Sequence, residues 1–167
     1  MGNPRKEEVE VMAFRYLLLC LLAAVLVPEV APAQVADMTG NWILNKKRSS
    51  WGSPGRPFDV ILRIEHREPR LKYNGTITYD GDNSREFAYD GVIDGQPRAA
   101  DRPAGSGTMT HQRIGPLEFK TEFRTASGQY VQTVSTVISR DGKTLTRSLR
   151  IETQEGVHRW TEVYDKK

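Results

Sequence analysis

The chain has 167 residues, which suits one domain of ordinary size and is too short for two full hydrophobic cores. Hydrophobic residues make up 38% of the chain and charged residues 27%, which excludes a membrane bundle and a highly charged disordered tail. The net charge is +3 without a basic block, and there is one cysteine. We therefore expect no nucleic-acid partner, no disulfide framework and no thiolate zinc cluster.

The N-terminal region has the pattern of an export signal. Apolar residues run from Tyr16 to Val27, well short of the roughly 20 residues that span a bilayer as a helix. Arg15 precedes this run, and residues 31–33 supply the small-x-small pattern that signal peptidase reads. The pattern predicts that residues 1–33 are a signal peptide, that residues 34–167 form one domain, and that the protein is periplasmic or secreted.

Other interpretations of the N-terminal region have less support from the sequence. Met12 is the expected start, because the acidic stretch before it is atypical of a signal peptide. A lipoprotein is not expected, since Cys20 lies inside the apolar run and follows leucines rather than small residues. A membrane anchor or a short buried helix is the alternative to a signal, and the length of the run argues against both. No stable membrane span is expected after signal removal.

Beyond residue 40 the apolar residues alternate with a period of two, which predicts strands. In the clearest case, Leu117, Phe119, Thr121 and Phe123 alternate with charged residues. Nine strands are predicted, at 41–45, 58–66, 70–79, 84–92, 107–114, 117–125, 129–139, 143–152 and 157–165. Short strands separated by turn signals favour an all-β antiparallel meander of eight to ten strands. Closure into an up-and-down barrel removes the free edges, and long connections are expected at 46–57 and 94–106.

Two turn sequences predict a consistent register for the last strands. The Asp-Gly turn at 141–142 places Thr136 opposite Arg147. The Ser-Gly turn at 127–128 places Phe123 opposite Gln132. Both turns keep the apolar residues on one face, and a slip of one residue would turn every side chain over.

Two other turns carry predictions about single residues. A Glu-Gly turn at 155–156 places Arg147 opposite Tyr164, with Glu162 diagonal to Arg147. The Gly-Pro turn at 115–116 allows two loop lengths, one of which points His111 inward and the other outward. The face of His111 stays open at this point. The turn at 80–83 needs an odd number of loop residues, or a bulge, to keep Ile77 and Phe87 on one face.

Two segments resemble a known family. Gly40-Asn41-Trp42 matches the G-x-W opening of lipocalins and their calycin relatives. The longer run DMTGNWILNKKRSSWG, with VISRDGKTLT at 137–146, resembles small secreted bacterial lipocalin-like proteins. The resemblance implies a lipocalin-like barrel that holds a small apolar or amphipathic ligand. It also implies a structural role for Gly40 and for Trp42, which would plug the closed end.

The predicted ligand-binding residues are Arg147, Tyr164, Gln132 and Trp51. Arg147 falls on the apolar phase of its strand, and a guanidinium that faces inward is costly unless it is paired. It can pair with Glu162, escape through a bulge, or receive the acidic head of an amphipathic ligand together with the Tyr164 hydroxyl. Trp51 lies in a long connection, where it can anchor the loop or cover the mouth, and anchoring is the commoner use of an aromatic side chain.

No residue pattern supports catalysis or a cofactor. The histidines His66, His111 and His158 lack metal-ligand spacing, and no nucleophile elbow or phosphate-binding loop occurs. Neither a metal site, a cofactor nor an enzymatic activity is expected. Two functions remain: a barrel that binds a small ligand, or a structural or protein-interaction barrel of the cell envelope with a packed interior. An enclosed void of roughly 300 Å³ or more favours the first.

Overall fold

A computed structural model describes residues 37–51, 57, 59–79 and 83–167. The predicted signal peptide, with its start at Met12, lies outside the described residues. Within them every regular element is a strand, and no helix occurs. The strands are β1 (Gly40–Leu44), β2 (Asp59–Arg67), β3 (Arg70–Thr78), β4 (Ser84–Val92), β5 (Arg98–Arg102), β6 (Gly105–Gly115), β7 (Glu118–Thr125), β8 (Val131–Ile138), β9 (Thr144–Thr153) and β10 (Gly156–Lys166).

The ten strands form one antiparallel sheet in the order β4-β3-β2-β1-β10-β9-β8-β7-β6-β5. Consecutive strands pair with each other except β4 and β5, and the first and last strands pair as well, with Trp42 opposite Lys166. The sheet therefore curls into a nearly closed barrel whose two edges are β4 and β5. The predicted all-β meander is confirmed.

The predicted register is confirmed for two turns and wrong for the third. Thr136 lies opposite Arg147, and Phe123 lies opposite Gln132. At the third turn Gly156 pairs with Thr153, which shifts β10 by two residues from the predicted register. Arg147 consequently faces Glu162 directly, not Tyr164. Because the shift is an even number of residues, every side chain stays on its predicted face.

The structure contains one strand more than the nine predicted. β5 lies within the connection expected at 94–106 and pairs with β6, with Arg98 opposite Met109. Its inward phase carries Arg98, Ala100 and Arg102, which gives no apolar alternation to recognise. A strand with an arginine at each end of its inner face therefore looks like a loop in sequence.

An irregularity in β6 decides the face of His111. The pairing of β6 with β7 shifts between Arg113 and Gly115, and before that point His111 lies opposite Thr121. His111 and Met109 both point inward and are both 3% exposed. The odd loop expected between β3 and β4 also agrees with the structure, in which Thr78 pairs with Ser84 and Gly75 with Phe87.

The end of the barrel at which β1 begins is closed by its core. Trp42 is fully buried there, and its Nε1–H donates to the carbonyl of Met38 at 2.9 Å. Gly40 has a φ of +147°, a conformation that side chains disfavour, and a Cβ there would lie 2.5 Å from Cε of Lys166. Trp42 and Gly40 thus lie together near the start of β1, and the structural role that the resemblance implies for them stays a prediction.

Candidate functional site

The half of the barrel opposite Trp42 encloses a cavity of about 350 Å³. Apolar and aromatic side chains form most of its walls, among them Val60, Ile77, Phe87, Phe123, Val134 and Leu149. Its mouth is lined by Pro57, Tyr79, Ala104 and Tyr130, which lie between strands. The interior is therefore hollow in part, and the aromatic residues of the inward rows do not fill it.

All four residues predicted to bind ligand line this cavity: Arg147, Tyr164, Gln132 and Trp51. Gln132 projects from β8 between its cross-strand neighbours Phe123 and Ile151. A bridge between Ser50 and Thr161 fixes the backbone next to Trp51, whose half-buried ring packs against the core. Trp51 thus anchors its loop and forms part of the cavity wall. That these residues contact a ligand stays a prediction.

Arg147 and Glu162 form an ion pair at the inner part of the cavity. Nη1 of Arg147 donates to Oε2 of Glu162 at 3.2 Å. The Tyr164 hydroxyl donates to the same oxygen at 2.7 Å, and Nε1–H of Trp160 donates to Oε1 at 2.9 Å. The Glu162 carboxylate therefore has three partners, as a buried charge requires. Of the three fates open to an inward Arg147, the structure forms the internal ion pair.

Burial and the Arg147–Glu162 ion pair shift the pKa values of Arg147 and Tyr164. Burial alone would lower the pKa of the Arg147 guanidinium, but the negative charge of Glu162, together with interactions with Tyr164 and Tyr73, outweighs burial and raises that pKa above its ordinary value. Burial, followed by the charge of Glu162, raises the pKa of Tyr164 well above its ordinary value. Arg147 stays charged and Tyr164 stays a neutral donor at neutral pH. The Arg147 side chain also keeps 22% of its surface accessible, because it borders the cavity.

A second interior cation, Arg102, was not found from the sequence. Its Nη2 donates to the Tyr73 hydroxyl at 2.7 Å and approaches Sδ of Met109 at 3.2 Å. Among the described residues no carboxylate pairs with Arg102. The available signal was the period-two phase of Arg98, Ala100 and Arg102, which places Arg102 inward once β5 is accepted as a strand.

A smaller chamber of about 60 Å³ continues the cavity toward the closed end. The two spaces share Tyr73, Phe87, Thr121 and Arg147 as lining residues. His111 also lines the chamber, which is otherwise walled mainly by core side chains such as Leu62, Ile64, Leu71, Phe119 and Leu145. The interior thus consists of a larger space near the mouth and a narrow inner chamber.

Three buried side-chain atoms have no hydrogen-bond partner among the described residues: Nε1 of Trp51, Nε2 of His111 and Nη2 of Arg113. The Arg113 atom contacts the carboxylate of Glu68 as an ion pair. The other two belong to side chains that line the cavity and its inner chamber. Leaving a buried polar atom unpaired costs about 1–3 kcal/mol, so a water molecule or ligand group that bonds to such an atom lowers the free energy.

The described part of the chain contains no group of three or more His, Cys, Asp or Glu side chains that could hold a metal. Nor does it contain a helix with the length and hydropathy needed to cross a membrane.

Solved structures with the same arrangement of strands match the barrel. A secretary abundant heat soluble (SAHS) protein from Ramazzottius varieornatus aligns with a TM-score of 0.56 and 11% identity, over 82% of this chain and 100% of that one. The two chains share an antiparallel β-barrel fold. Zebrafish ileal bile acid-binding protein in complex with cholic acid aligns with a TM-score of 0.52 and 16% identity, over 77% of this chain and 98% of that one.

A third match is a Schistosoma mansoni fatty acid binding protein in complex with arachidonic acid. It has a TM-score of 0.53 and 7% identity, over 78% of this chain and 96% of that one. No protein-family model and no curated protein matches the chain by sequence. At these identities the similarity shows the shared lipocalin-like barrel fold.

Proposed function

We propose that this protein is an exported barrel that binds a small amphipathic ligand with an acidic head group in its interior. The observation that carries the proposal is the cavity of about 350 Å³, with apolar walls and a few convergent polar groups. Ligand sites in proteins have this composition and occupy roughly 300–1,000 Å³. The volume lies near the lower end of that range, which fits one small amphipathic molecule.

The charges of the cavity favour an acidic head group. Arg85, Arg102 and Arg147 line it against two carboxylates, those of Glu86 and Glu162. Glu162 is committed to Arg147, whereas Arg102 has no carboxylate partner among the described residues. The interior therefore carries more positive than negative charge, which lowers the free energy of an enclosed anion.

The four residues predicted to bind ligand suit this role by their position. Arg147 and Tyr164 lie at the inner part of the cavity, and Gln132 and Trp51 lie on its walls. The two matched barrels whose names specify bile acid and fatty acid binding support the choice of an amphipathic acid, on fold-level similarity alone. An interaction barrel with a packed interior has less support, because the interior is hollow. We expect no enzymatic activity.

Titration calorimetry with dodecanoic acid tests the binding proposal. We expect one molecule bound per chain and loss of binding in Val134→Trp, which places a large ring inside the cavity. Val137→Trp is the matched control, since Val137 lies on the same strand and is 41% exposed. Circular dichroism checks that both variants fold. Absence of binding by the wild-type protein, or equal binding by both folded variants, would contradict the proposal.

The export proposal has its own test. N-terminal sequencing of protein recovered outside the cytoplasm is expected to begin at Gln34 or within a residue or two of it. Protein retained in the cytoplasm with residues 12–33 intact would show that the segment is not an export signal.

A further inference from the structure

His111 is a buried side chain with an unused hydrogen-bonding atom. It is 3% exposed, and its Nε2 has no partner among the described residues. Its ring is held on the other side, since Nδ1 lies 2.8 Å from Oγ1 of Thr121. The ring also packs against Tyr89 at 4.2 Å between centroids. The imidazole therefore has a fixed orientation and one nitrogen left for a further partner.

The hydrogen bond to Thr121 is compatible with a proton on Nε2. A hydroxyl both donates and accepts, so Thr121 can donate to Nδ1 while Nε2 carries the proton. In this tautomer Nε2–H is a donor without an acceptor. His111 lines the inner chamber, as does Arg147, whose side chain is accessible from within the barrel. His111 and Arg147 thus line the same small space.

The charges around His111 favour a negative partner over a positive one. Burial lowers the pKa of His111 to about 3, and the positive charges of Arg102, Arg147 and Arg98 act in the same direction. The imidazole is therefore neutral at neutral pH, in a region where a proton is disfavoured. The arginines that disfavour a proton on His111 favour an anion beside it.

We propose that His111 is a ligand-binding residue whose Nε2–H donates to the acidic head group of the ligand in the inner chamber, beside Arg147. The inference rests on the proposed function, because it concerns the same cavity and the same class of ligand. It gives that ligand a direction: the acid enters first and the acyl chain extends toward the mouth. The chamber of about 60 Å³ has room for a head group and not for the chain.

Calorimetry with dodecanoic acid and dodecan-1-ol on five proteins tests the assignment. The proteins are the wild type, His111→Leu, His111→Gln, Arg102→Leu and His158→Leu. Leucine removes the donor, whereas glutamine places an N–H near the position of Nε2. His158 on β10 lies outside the cavity lining and serves as the control. Circular dichroism and thermal melting identify the variants that fold.

The expected result separates the acid from the alcohol. His111→Leu should bind dodecanoic acid at least about tenfold more weakly, since a hydrogen bond to a charged group is worth about that factor. Its affinity for dodecan-1-ol should change much less, because the alcohol carries no charge. His111→Gln should keep most of the acid affinity, and His158→Leu should equal the wild type. Dodecanoic acid should also shift the ¹⁵N and ¹H resonances of the His111 Nε2–H group.

Several results would overturn the assignment while leaving the proposed function intact. Unchanged acid binding by folded His111→Leu would mean that Nε2 pairs only with water. Equal losses for acid and alcohol would mean that His111 only shapes the cavity. Loss of acid binding in Arg102→Leu, with none in His111→Leu, would place the head group near the mouth. If His111→Leu does not fold, a resonance of His111 that dodecanoic acid leaves unmoved overturns the assignment. If the wild type binds neither compound, the result would instead contradict the proposed function.

Discussion

His66 and His111 are buried histidines in two regions of one barrel, and their ring nitrogens have different surroundings. At the closed end, Nδ1 of His66 accepts a hydrogen bond from the Met38 N–H at 3.3 Å, and Nε2 lies 3.2 Å from Oε1 of Glu68. In the inner chamber, Nδ1 of His111 pairs with Thr121, and Nε2 has no partner in the part of the chain that the structure describes. Both rings are fixed by their contacts, but only the first has all its polar atoms engaged.

The difference separates residues that hold the fold from residues that can hold a ligand. His66 ties the segment before β1 to β2, and Glu68 extends this contact to Arg113 through an ion pair. Such a cluster is complete without a further molecule. His111 lines the inner chamber, and its Nε2 has no partner among the described residues, an arrangement that costs free energy unless a further group bonds to it. Both histidines are thus buried, but only His66, at the closed end, has hydrogen-bonding contacts at both ring nitrogens.

The largest expected change in the free energy of unfolding comes from a substitution at the closed end. Trp42→Ala should lower the free energy of unfolding by about 4 kcal/mol, because it removes a fully buried ring and its hydrogen bond to Met38. Urea denaturation measures the change, with Ile114→Ala, an exposed position, expected within about 0.5 kcal/mol of the wild type. A loss below about 1 kcal/mol for Trp42→Ala would show that this end does not hold the fold.

The ion pair in the cavity should give the next largest effect. Arg147→Leu leaves the Glu162 carboxylate, 10% exposed, without its cation, and should cost about 3 kcal/mol of unfolding free energy. The double variant Arg147→Leu with Glu162→Leu should recover much of this loss, since it leaves no buried charge unpaired. Additive losses in the two single variants would show that the two charges do not interact.

Lowering the pH should reduce the free energy of unfolding, and His111 is the group responsible. The pKa of His111 is about 3 in the folded protein and about 6.5 in an unfolded chain, so between these values the unfolded chain binds a proton that the folded protein does not. Stability therefore falls as the pH falls through this range. Between pH 6 and pH 5 the wild type should lose about 1 kcal/mol more than His111→Gln in urea denaturation. Parallel losses for the two proteins would contradict the shift.

The smallest expected effect concerns the partner of His66. Glu68→Gln should change the unfolding free energy by less than about 1 kcal/mol, because the Glu68 side chain is 37% exposed and its ion pair is screened by solvent. Burial lowers the pKa of His66, against the opposing charge of Asp37, so acid destabilises this end in the same direction as the chamber. A cost of several kcal/mol would mean that Glu68 is as important to the closed end as Trp42.

The face of most residues was predictable, whereas some partners were not. Alternation and turn parity gave the inward phase of Arg147, Gln132 and Tyr164, and a two-residue shift at the last turn left those faces unchanged. The same shift made Glu162 the direct neighbour of Arg147, which parity alone cannot specify. Whether a turn has an odd or even number of residues tests which face of the sheet a side chain occupies. The exact length of the turn decides which residues lie opposite each other.

The parts of the site that were not predicted are those where no alternation of apolar residues decides the structure. β5 presents arginines inward, so Arg102 appeared to lie in a connection. The face of His111 depended on the irregularity between Arg113 and Gly115, and no residue type in the turn required that irregularity. The inner chamber is the space left between side chains from many strands, and no local pattern encodes its volume.

A crystal structure of the protein grown with saturating dodecanoic acid tests the central claim most directly. The account predicts continuous density for one acyl chain inside the cavity, with its carboxylate within hydrogen-bonding distance of Nε2 of His111. An interior that holds only water at saturating acid, or a chain bound solely on the outer surface of the barrel, would contradict it.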